Sequence, residues 1–315
     1  MSKTVITFDT EHEGIINDCQ FDFYGLRMAS CDSNGFVQVY NIEKDEINKA
    51  SKANFSAHAG PAWQVTWAHP KYESILASCG YDKKINIWKE VKPLSWDLVY
   101  QFEAAASVNS ICWAPWEYGL VLAAGSADGK IHIVQRKGDD TWNITSFEGH
   151  NGGVNAISWG PSTDPAMLSQ EHPSSQLDQQ QFALPPKRFV SAGIDKKVKL
   201  WTFRDGKFND MEIGQHDDWV RDVAWCNNIG LLHDTVASCS EDNKVKIWKC
   251  IGKDQWEPKA EIDIQTPAWK VSWSQVGNLL AVSGGDNVVQ IYKEASNGEY
   301  ELVSRVNDDG VLEEK

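Results

Sequence analysis

HAGPAWQVTWAHPKYESILASCGYDKKINIW, residues 58–88, decides the fold. Its first part, ending at Trp67, alternates apolar and polar residues as a strand with two different faces does. ILASC, residues 75–79, is a second short strand of small and apolar residues. GYDKK then turns the chain: Gly80 relieves steric restriction and Asp82 bonds nearby backbone. INIW, residues 85–88, alternates again and closes on Trp88. A poorer fourth strand follows in WDLVYQF, residues 96–102.

The same pattern is written six times. Its turn residue falls at Asn34, Asp82, Asp128, Asp195, Asp242 and Asp286, with gaps of 48, 46, 67, 47 and 44. The closing residue (Tyr40, Trp88, Val134, Trp201, Trp248, Tyr292) repeats with the same gaps. A period near 45 with these landmarks is the WD-repeat signature of an all-β propeller, one four-stranded blade per copy. Trp67, Trp113, Trp159, Trp225 and Trp273 end the first strand of blades two to six, and Phe21 stands in for blade one. Most of the 15 tryptophans therefore hold fixed structural positions rather than forming a surface that stacks sugars or bases.

A formal charge of −14 argues against a surface that tracks phosphates, which starts from clustered Lys and Arg. The acidity suits solubility and steering toward protein partners, with no direct nucleic-acid contact. MSKTVITFDTEHEG, residues 1–14, has no apolar run long enough for a signal peptide, and no later run approaches a membrane span. The seven cysteines include no Cys-x-x-Cys pair, so neither a disulfide framework nor a zinc site is expected. Cys31, Cys79 and Cys239 lie three residues before their turns, where packed thiols in a reducing compartment fit.

His58, Ser78, Asp82 and Trp88 recur as His150, Ser191, Asp195 and Trp201 and as His216, Ser238, Asp242 and Trp248. Ser, His and Asp are the residues of a hydrolase triad. An active site is not installed three times, however, and in WD-repeat propellers these four side chains form a hydrogen-bonded tetrad. The set decays elsewhere: blade three has Ala104, Ala124 and Val134 around Asp128, and blade six Ile264, Val282 and Tyr292 around Asp286. Blade one keeps His12 and Ser30 but has Asn34 and Tyr40. No Gly-rich phosphate loop, metal-ligand cluster or unique triad stands out, so no cofactor, no metal and no enzyme activity are expected.

One domain is expected over residues 1–306, with an insertion in blade four at 161–188 and an acidic tail at 307–315. The insertion, rich in Pro, Gln and Ser, reads as a surface loop, and the tail as frayed. The strand count is uneven. EYELVSRV, residues 299–306, reads as the fourth strand of blade six, with Tyr300 at the place of Trp96, Trp142 and Trp256. VITFDT, residues 5–10, reads as another fourth strand, and its blade has no other strands in this chain. Six blades plus an orphan outer strand predict a ring with a gap, filled by another polypeptide that adds strands. A closed six-bladed ring with a redundant terminus is the alternative.

Residues 58–90, 107–131 (SVNSICWAPWEYGLVLAAGSADGKI), 216–225 (HDDWVRDVAW) and 268–294 (AWKVSWSQVGNLLAVSGGDNVVQIYKE) closely resemble the Sec-thirteen family. That family supplies the small propeller subunit of the COPII outer coat and of the Y-shaped scaffold of the nuclear pore. The resemblance implies an open six-bladed propeller into which a large α-helical coat subunit, or an α-helical nucleoporin, inserts a three-stranded seventh blade. On that pattern Val5, Ile6 and Phe8 at the N-terminal strand, with Trp269, Val271 and Trp273 on the inner strand of blade six, would meet the partner. A cytoplasmic protein, peripheral at ER membrane, COPII vesicles and nuclear pore, is implied, as is a place in a TOR-pathway nutrient-signalling complex. The competing class is a closed, peptide-reading adaptor, such as a substrate receptor or histone-tail binder, working from one rim.

Overall fold

The computed structural model describes residues 9–43, 46–163, 184–227, 233–252, 255–307 and 312–314. Its regular structure is strand, apart from two single-turn 3-10 helices at Pro70–Tyr72 and Trp116–Tyr118. Blade one is the sheet β1 (Ile16–Phe21), β2 (Arg27–Asp32), β3 (Phe36–Glu43) and β4 (Glu46–Ser56). Blade two is β5 (Ala62–Trp67), β6 (Ile75–Gly80), β7 (Lys84–Lys92) and β8 (Ser95–Glu103). Blade three is β9 (Val108–Trp113), β10 (Val121–Ser126), β11 (Lys130–Arg136) and β12 (Trp142–Glu148). Blade four is β13 (Val154–Trp159), β14 (Arg188–Gly193), β15 (Lys197–Arg204) and β16 (Lys207–Gln215). Blade five is β17 (Val220–Trp225), β18 (Thr235–Ser240), β19 (Lys244–Gly252) and β20 (Gln255–Asp263). Blade six is β21 (Ala268–Trp273), β22 (Leu279–Gly284), β23 (Val289–Glu294) and β24 (Tyr300–Val306), with a fifth strand, β25 (Leu312–Glu314). The fold is thus the expected all-β set of six WD-type propeller blades.

The tail departs from the expectation of fraying. β25 pairs antiparallel with β24, Ser304 opposite Glu314 and Val306 opposite Leu312, so it covers part of that strand's open edge. The predicted orphan strand falls mostly outside the described residues. Asp9 and Thr10 are described and have no regular structure.

Two compact units divide the chain, one of Val5–Ile157 with Gly193–Asp195, the other including Ser158–Ala192 and Lys196–Lys315. In the first, the faces of β2 and β3 pack on blade two through Ala29, Cys31, Val37 and Val39 against Ala62, Val65 and Leu76. Blade two then packs on blade three, with Ile85, Ile87 and Cys79 against Val108, Ile111 and Leu122. A middle strand between two neighbouring sheets has no wet face, and β6 and β10 are accordingly buried through all six residues. Small side chains there (Ala77, Cys79, Ala123, Ala124, Gly125) admit the close approach, while each wholly buried Leu or Ile contributes about 1.5–3 kcal/mol. In the second unit, blade five packs on blade six through Cys239, Val245 and Ile247 against Val271, Leu280 and Val282.

Each β-turn between the second and third strands has its left-handed residue directly after the conserved-spacing Asp or Asn. These are Gly35, Lys83, Gly129, Lys196, Asn243 and Asn287, with φ from 60 to 86°. Gly35 and Gly129 are required for a further reason. A Cβ on Gly35 would lie 2.3 Å from the His58 carbonyl, and one on Gly129 2.3 Å from the Gly152 carbonyl. The two glycine carbonyls in turn accept the amides of His58 and His150, each at 3.0 Å, which ties the turn to the loop entering the next blade.

Candidate interaction surface

The repeated tetrads are structural ties. In blade two, His58 Nδ1 lies 2.8 Å from Asp82 and Nε2 2.8 Å from Ser78 Oγ, and Trp88 Nε1 donates to that hydroxyl at 3.0 Å. Blade five repeats it: His216 meets Asp242 at 3.0 Å and Ser238 at 2.8 Å, with Trp248 donating to Ser238 at 2.9 Å. In blade four, His150 meets Asp195 at 2.8 Å within the first unit, and Trp201 Nε1 donates to Ser191 at 2.8 Å within the second. His58, His150 and His216 are buried, and the serine hydroxyl is held by an indole in each set. No approach to a substrate is left, so the tetrads have no nucleophile to offer.

The electrostatics agree. Burial alone would raise the Asp82 carboxyl, but the His58 imidazole and the amides of Ala59 and Lys84 outweigh it and hold the group below its ordinary value. Asp242 is lowered in the same way, against burial, by the Asp217 amide and His216. Burial drives His216 down despite the Asp242 carboxylate.

Blade one corrects the sequence reading. Asn34 does occupy the turn, but the carboxylate that His12 meets is Asp32, 2.8 Å away, with Ser30 Oγ at 2.7 Å on the other ring nitrogen. Asp32 also accepts the amides of Asn34 and Phe36, so a carboxylate two residues earlier reaches the same turn from the strand. Blade three, read as decayed, carries its own set around the buried His132 and Ser126. His132 lies 2.7 Å from Ser146 Oγ and 3.2 Å from Ser126 Oγ, and Ser126 bonds Asp128. Blades one and six place a Gln two residues before the closing Tyr, Gln38 against Tyr40 and Gln290 bonded to Tyr292.

A second regularity runs between blades. The residue three before the strand-ending aromatic accepts the amide of the next inner strand. Asp18 takes Val65 N–H at 3.2 Å, Gln64 takes Ile111 at 2.7 Å, Ser110 takes Ile157 at 3.1 Å, and Asp222 takes Val271 at 3.1 Å. In blade four that position is Ala156, and the link moves two residues on, Ser158 accepting Trp225 N–H at 2.9 Å. The tryptophans answer in the other direction: Trp67 Nε1 donates to the Gln20 carbonyl, Trp113 to Thr66 and Trp273 to Ala224. One position earlier a donor also reaches forward, Asn17 to the Ala62 carbonyl, Trp63 to Ser107 Oγ and Asn109 to the Val154 carbonyl. Of these linking residues the sequence had singled out the strand-ending tryptophans, but neither the acceptors nor the forward-reaching donors. Lining the repeats up on the strand-ending aromatic is the signal that finds them.

Among the described residues, one face of blade six lacks cover. β22 alternates buried and half-buried residues where β6, β10 and β18 are buried throughout. On β21, Trp269, Lys270 and Ser272 are exposed, Trp269 to 43%. Of the residues expected to meet a partner, Trp269 is on this open side, with the Arg221 guanidinium 5.0 Å from its ring. Val271 is 5% exposed and belongs to the core shared with blade five, and Trp273 donates into blade five. Those two cannot present a surface: the register shift between Ala268 and Lys270 takes Trp269 out of phase with them, and Val271 and Trp273 turn toward blade five. Val5, Ile6 and Phe8 lie outside the described residues. Blade one is open as well: Phe21, which stands where other blades have Trp, is 63% exposed, and Ile16 and Cys19 are exposed on the same strand.

A WD domain, G-beta repeat pattern matches residues 2–41, 49–89, 96–134 and 210–249. Protein transport protein SEC13 homolog A of Arabidopsis thaliana is 49% identical over 306 residues, 95% of this chain and 97% of its own. The Schizosaccharomyces pombe protein transport protein sec13 is 46% identical over 96% of this chain and 99% of its own. The chain belongs to the SEC13 family. A Dictyostelium discoideum SEC13 homolog adds 44% identity over 95% of this chain and 98% of its own. Matches of this extent cover nearly the whole chain. Among the described residues no helix of this SEC13-family chain is long and apolar enough to cross a membrane, and no His, Cys, Asp and Glu group is suited to a metal ion.

Proposed function

We propose that this chain is a non-catalytic scaffold subunit of protein transport that captures a β-blade offered by a partner. The blade would be seated on the open face of blade six. The observation that carries the reading is the contrast between β22 and its equivalents, since an inner strand with one uncovered face is a site for another sheet. The names of the relatives support the transport role. Family resemblance extends it to the outer COPII cage between ER and Golgi and to the nuclear pore scaffold, where an α-helical coat subunit or nucleoporin would donate the blade. Capture there stiffens an edge of a membrane-curving cage, with peripheral rather than inserted membrane association. The same capture accounts for membership of a nutrient-signalling complex.

The test is to purify the chain alone and with a partner's blade segment, and to compare oligomeric state and thermal midpoint. A ligand at one hundred times Kd adds about 2.7 kcal/mol, so the midpoint rises by several degrees if capture occurs. A stable free monomer on which the segment has no effect overturns the reading.

One observation favours a second reading, a peptide-reading rim. Phe23 and Tyr24 are exposed and pack edge to face at 5.1 Å, Phe23 meets His69 at 4.6 Å, and His69 stacks on Trp116 at 5.5 Å. Loss of partner binding in Phe23→Ala and Trp116→Ala, with Trp269→Ala silent, would move the function to that rim.

A further inference from the structure

The turns that join the first and second strands of blades one, two and three carry aromatic rings that the turns themselves do not need. In blade one, Asp22 closes the turn. Its carboxylate accepts the amides of Leu26 and Arg27 at 2.8 and 3.0 Å, and its carbonyl accepts that of Gly25 at 3.0 Å. Blade six builds the same turn on Ser274, whose hydroxyl accepts the amides of Asn278 and Leu279 and whose carbonyl accepts that of Gly277. Gly25 and Gly277 hold the left-handed place, with φ of 68 and 71°. Gln275 and Val276 stand there where blade one has Phe23 and Tyr24, so neither ring serves the turn. Blades two and three repeat the comparison. Each has a single 3-10 turn, closed by Tyr72 onto His69 and by Tyr118 onto Pro115, and Trp116 stands where blade two has Pro70.

These rings nevertheless gather into one stack, Tyr24, Phe23, His69 and Trp116, in steps of 5.1, 4.6 and 5.5 Å. Phe23, Tyr24 and the neighbouring Leu26 are each exposed to 60% or more. The backbone beneath is already bonded: the amides of Leu26, Arg27, Lys71, Tyr72 and Glu73 all find acceptors within their own turns. No strand can be added here. Tyr24 Oη and Trp116 Nε1 are donors that make no hydrogen bond among the described residues. Beside Phe23 lies a cavity of about 140 Å³, lined by Asp22, Arg27, Trp67, Pro70 and Glu73. The Arg27 guanidinium is committed to Glu90 at 2.7 Å and to Ser74 at 3.0 Å, and Glu73 pairs with Lys89. Asp22 keeps only the 3.9 Å approach of Arg27 Nε, so the carboxylates of Asp22, Glu73 and Glu90 outnumber the two cations around them. At the far end the Lys71 ammonium over Trp116 and the Glu117 carboxylate acting on Tyr72 carry opposite charges, which leaves the excess at the cavity.

We propose that this stack docks a proline-rich segment of a partner in polyproline II form, with an Arg or Lys of the segment in the Asp22 cavity. Such a segment has no internal hydrogen bonds and rises about 3.1 Å per residue, so about five residues cover the stack, which reaches at most about 15 Å. Its rings pack on the aromatic faces, and its carbonyls accept from Tyr24 Oη and Trp116 Nε1. Its preformed conformation keeps the entropy lost on docking small. The negative excess at the cavity selects the cation. The inference names the ligand of the aromatic rim and does not rest on blade capture, which uses blade six.

The test titrates the full chain by calorimetry with short synthetic peptides: a proline-rich one with Arg at either end, the same with Glu for Arg, and the Arg peptide with alanine for every proline. Wild type is expected to bind the Arg peptide at least about tenfold more tightly than the other two, the effect of one charge-assisted contact or of the lost ring contacts. Phe23→Gln and Asp22→Ser install residues that blade six uses in the same turn, and thermal midpoints near wild type establish that the fold is intact. Phe23→Gln and Trp116→Ala each weaken the Arg peptide by about tenfold or more. Asp22→Ser removes the preference for Arg over Glu and keeps that for proline over alanine. Trp269→Ala leaves all three affinities unchanged, which separates this surface from blade capture. No binding of any peptide, binding that survives both Phe23→Gln and Trp116→Ala, or equal binding of the alanine peptide overturns the proposal. Equal affinity for the Arg and Glu peptides overturns the charge selection. Self-association that Phe23→Gln abolishes, without peptide binding, gives the surface to a second copy of this chain and overturns the proposal too.

Discussion

At the scale of single residues, position within the blade decides what a side chain does, whatever its chemistry suggests. His58 has the neighbours of a catalytic base, yet its two ring nitrogens are committed to Asp82 and Ser78. His58→Ala strands both, and is expected to lower stability by about 1–3 kcal/mol in urea unfolding with no loss of partner binding. His132 and His216 are both held below their ordinary value of 6.5, burial being the main cause. Below that pH the unfolded chain binds more protons than the folded one, so stability falls as pH drops from 6.5 through the folded values. The carboxyls of Asp82, Asp128 and Asp242 are lowered and contribute a second loss only below about 3.8, as pH falls through their folded values. The thermal midpoint followed against pH is expected to decline in two stages, and His132→Gln flattens the first. The legible part here was which residues recur. Asp32 and the His132–Ser126–Asp128 set were hidden because a hydrogen bond requires only that an acceptor arrive in space, and a strand can bring one two residues out of register.

Elements are held by packing first and by sparse links second. β17 and β21 share the Asp222–Val271 bond, and desolvation raises the Asp222 carboxyl above its ordinary value. Asp222→Asn keeps an acceptor without a charge and is expected to leave the denaturation midpoint within about 1 kcal/mol of wild type. Asp222→Ala leaves the Val271 amide unpaired and costs about 1–3 kcal/mol. At the far edge, β25 covers β24 through Ser304, Arg305 and Val306. Truncation before residue 308 is expected to raise hydrogen exchange at these amides while the exchange of β22 stays unchanged. In blade two the readings of 75–79 and 96–102 fall within a residue of β6 and β8, while 85–88 stops four residues short of the end of β7. β25 could not be read, since NDDGVLEEK has no strand pattern and takes its conformation from the edge it meets.

For the molecule as a whole, net charge and uncovered apolar surface act against each other. A charge of −14 keeps copies apart, while Trp269 and Phe21 favour association. Without a partner, self-association is expected to grow with salt, because the screening length falls from about 10 Å at 0.1 M to 3 Å at 1 M. Light scattering at the two salt levels checks this. Trp269→Ser is expected to suppress the rise without lowering the thermal midpoint, because the ring is outside the core shared with blade five.

The sequence by itself determined the six blades, their strands and the tetrads, because a strand's faces repeat every two residues and a blade's landmarks every 45 or so. It also carried the family resemblance. It did not determine which residues of blade six remain open. Trp269, Val271 and Trp273 look alike in the chain, and only packing against blade five put Val271 and Trp273 inside and left Trp269 out. Burial is a property of pairs of sheets, and so are the inter-blade links: Asp18, Gln64, Ser110 and Asp222 stand out only when they are seen bonded to the strands that cover them.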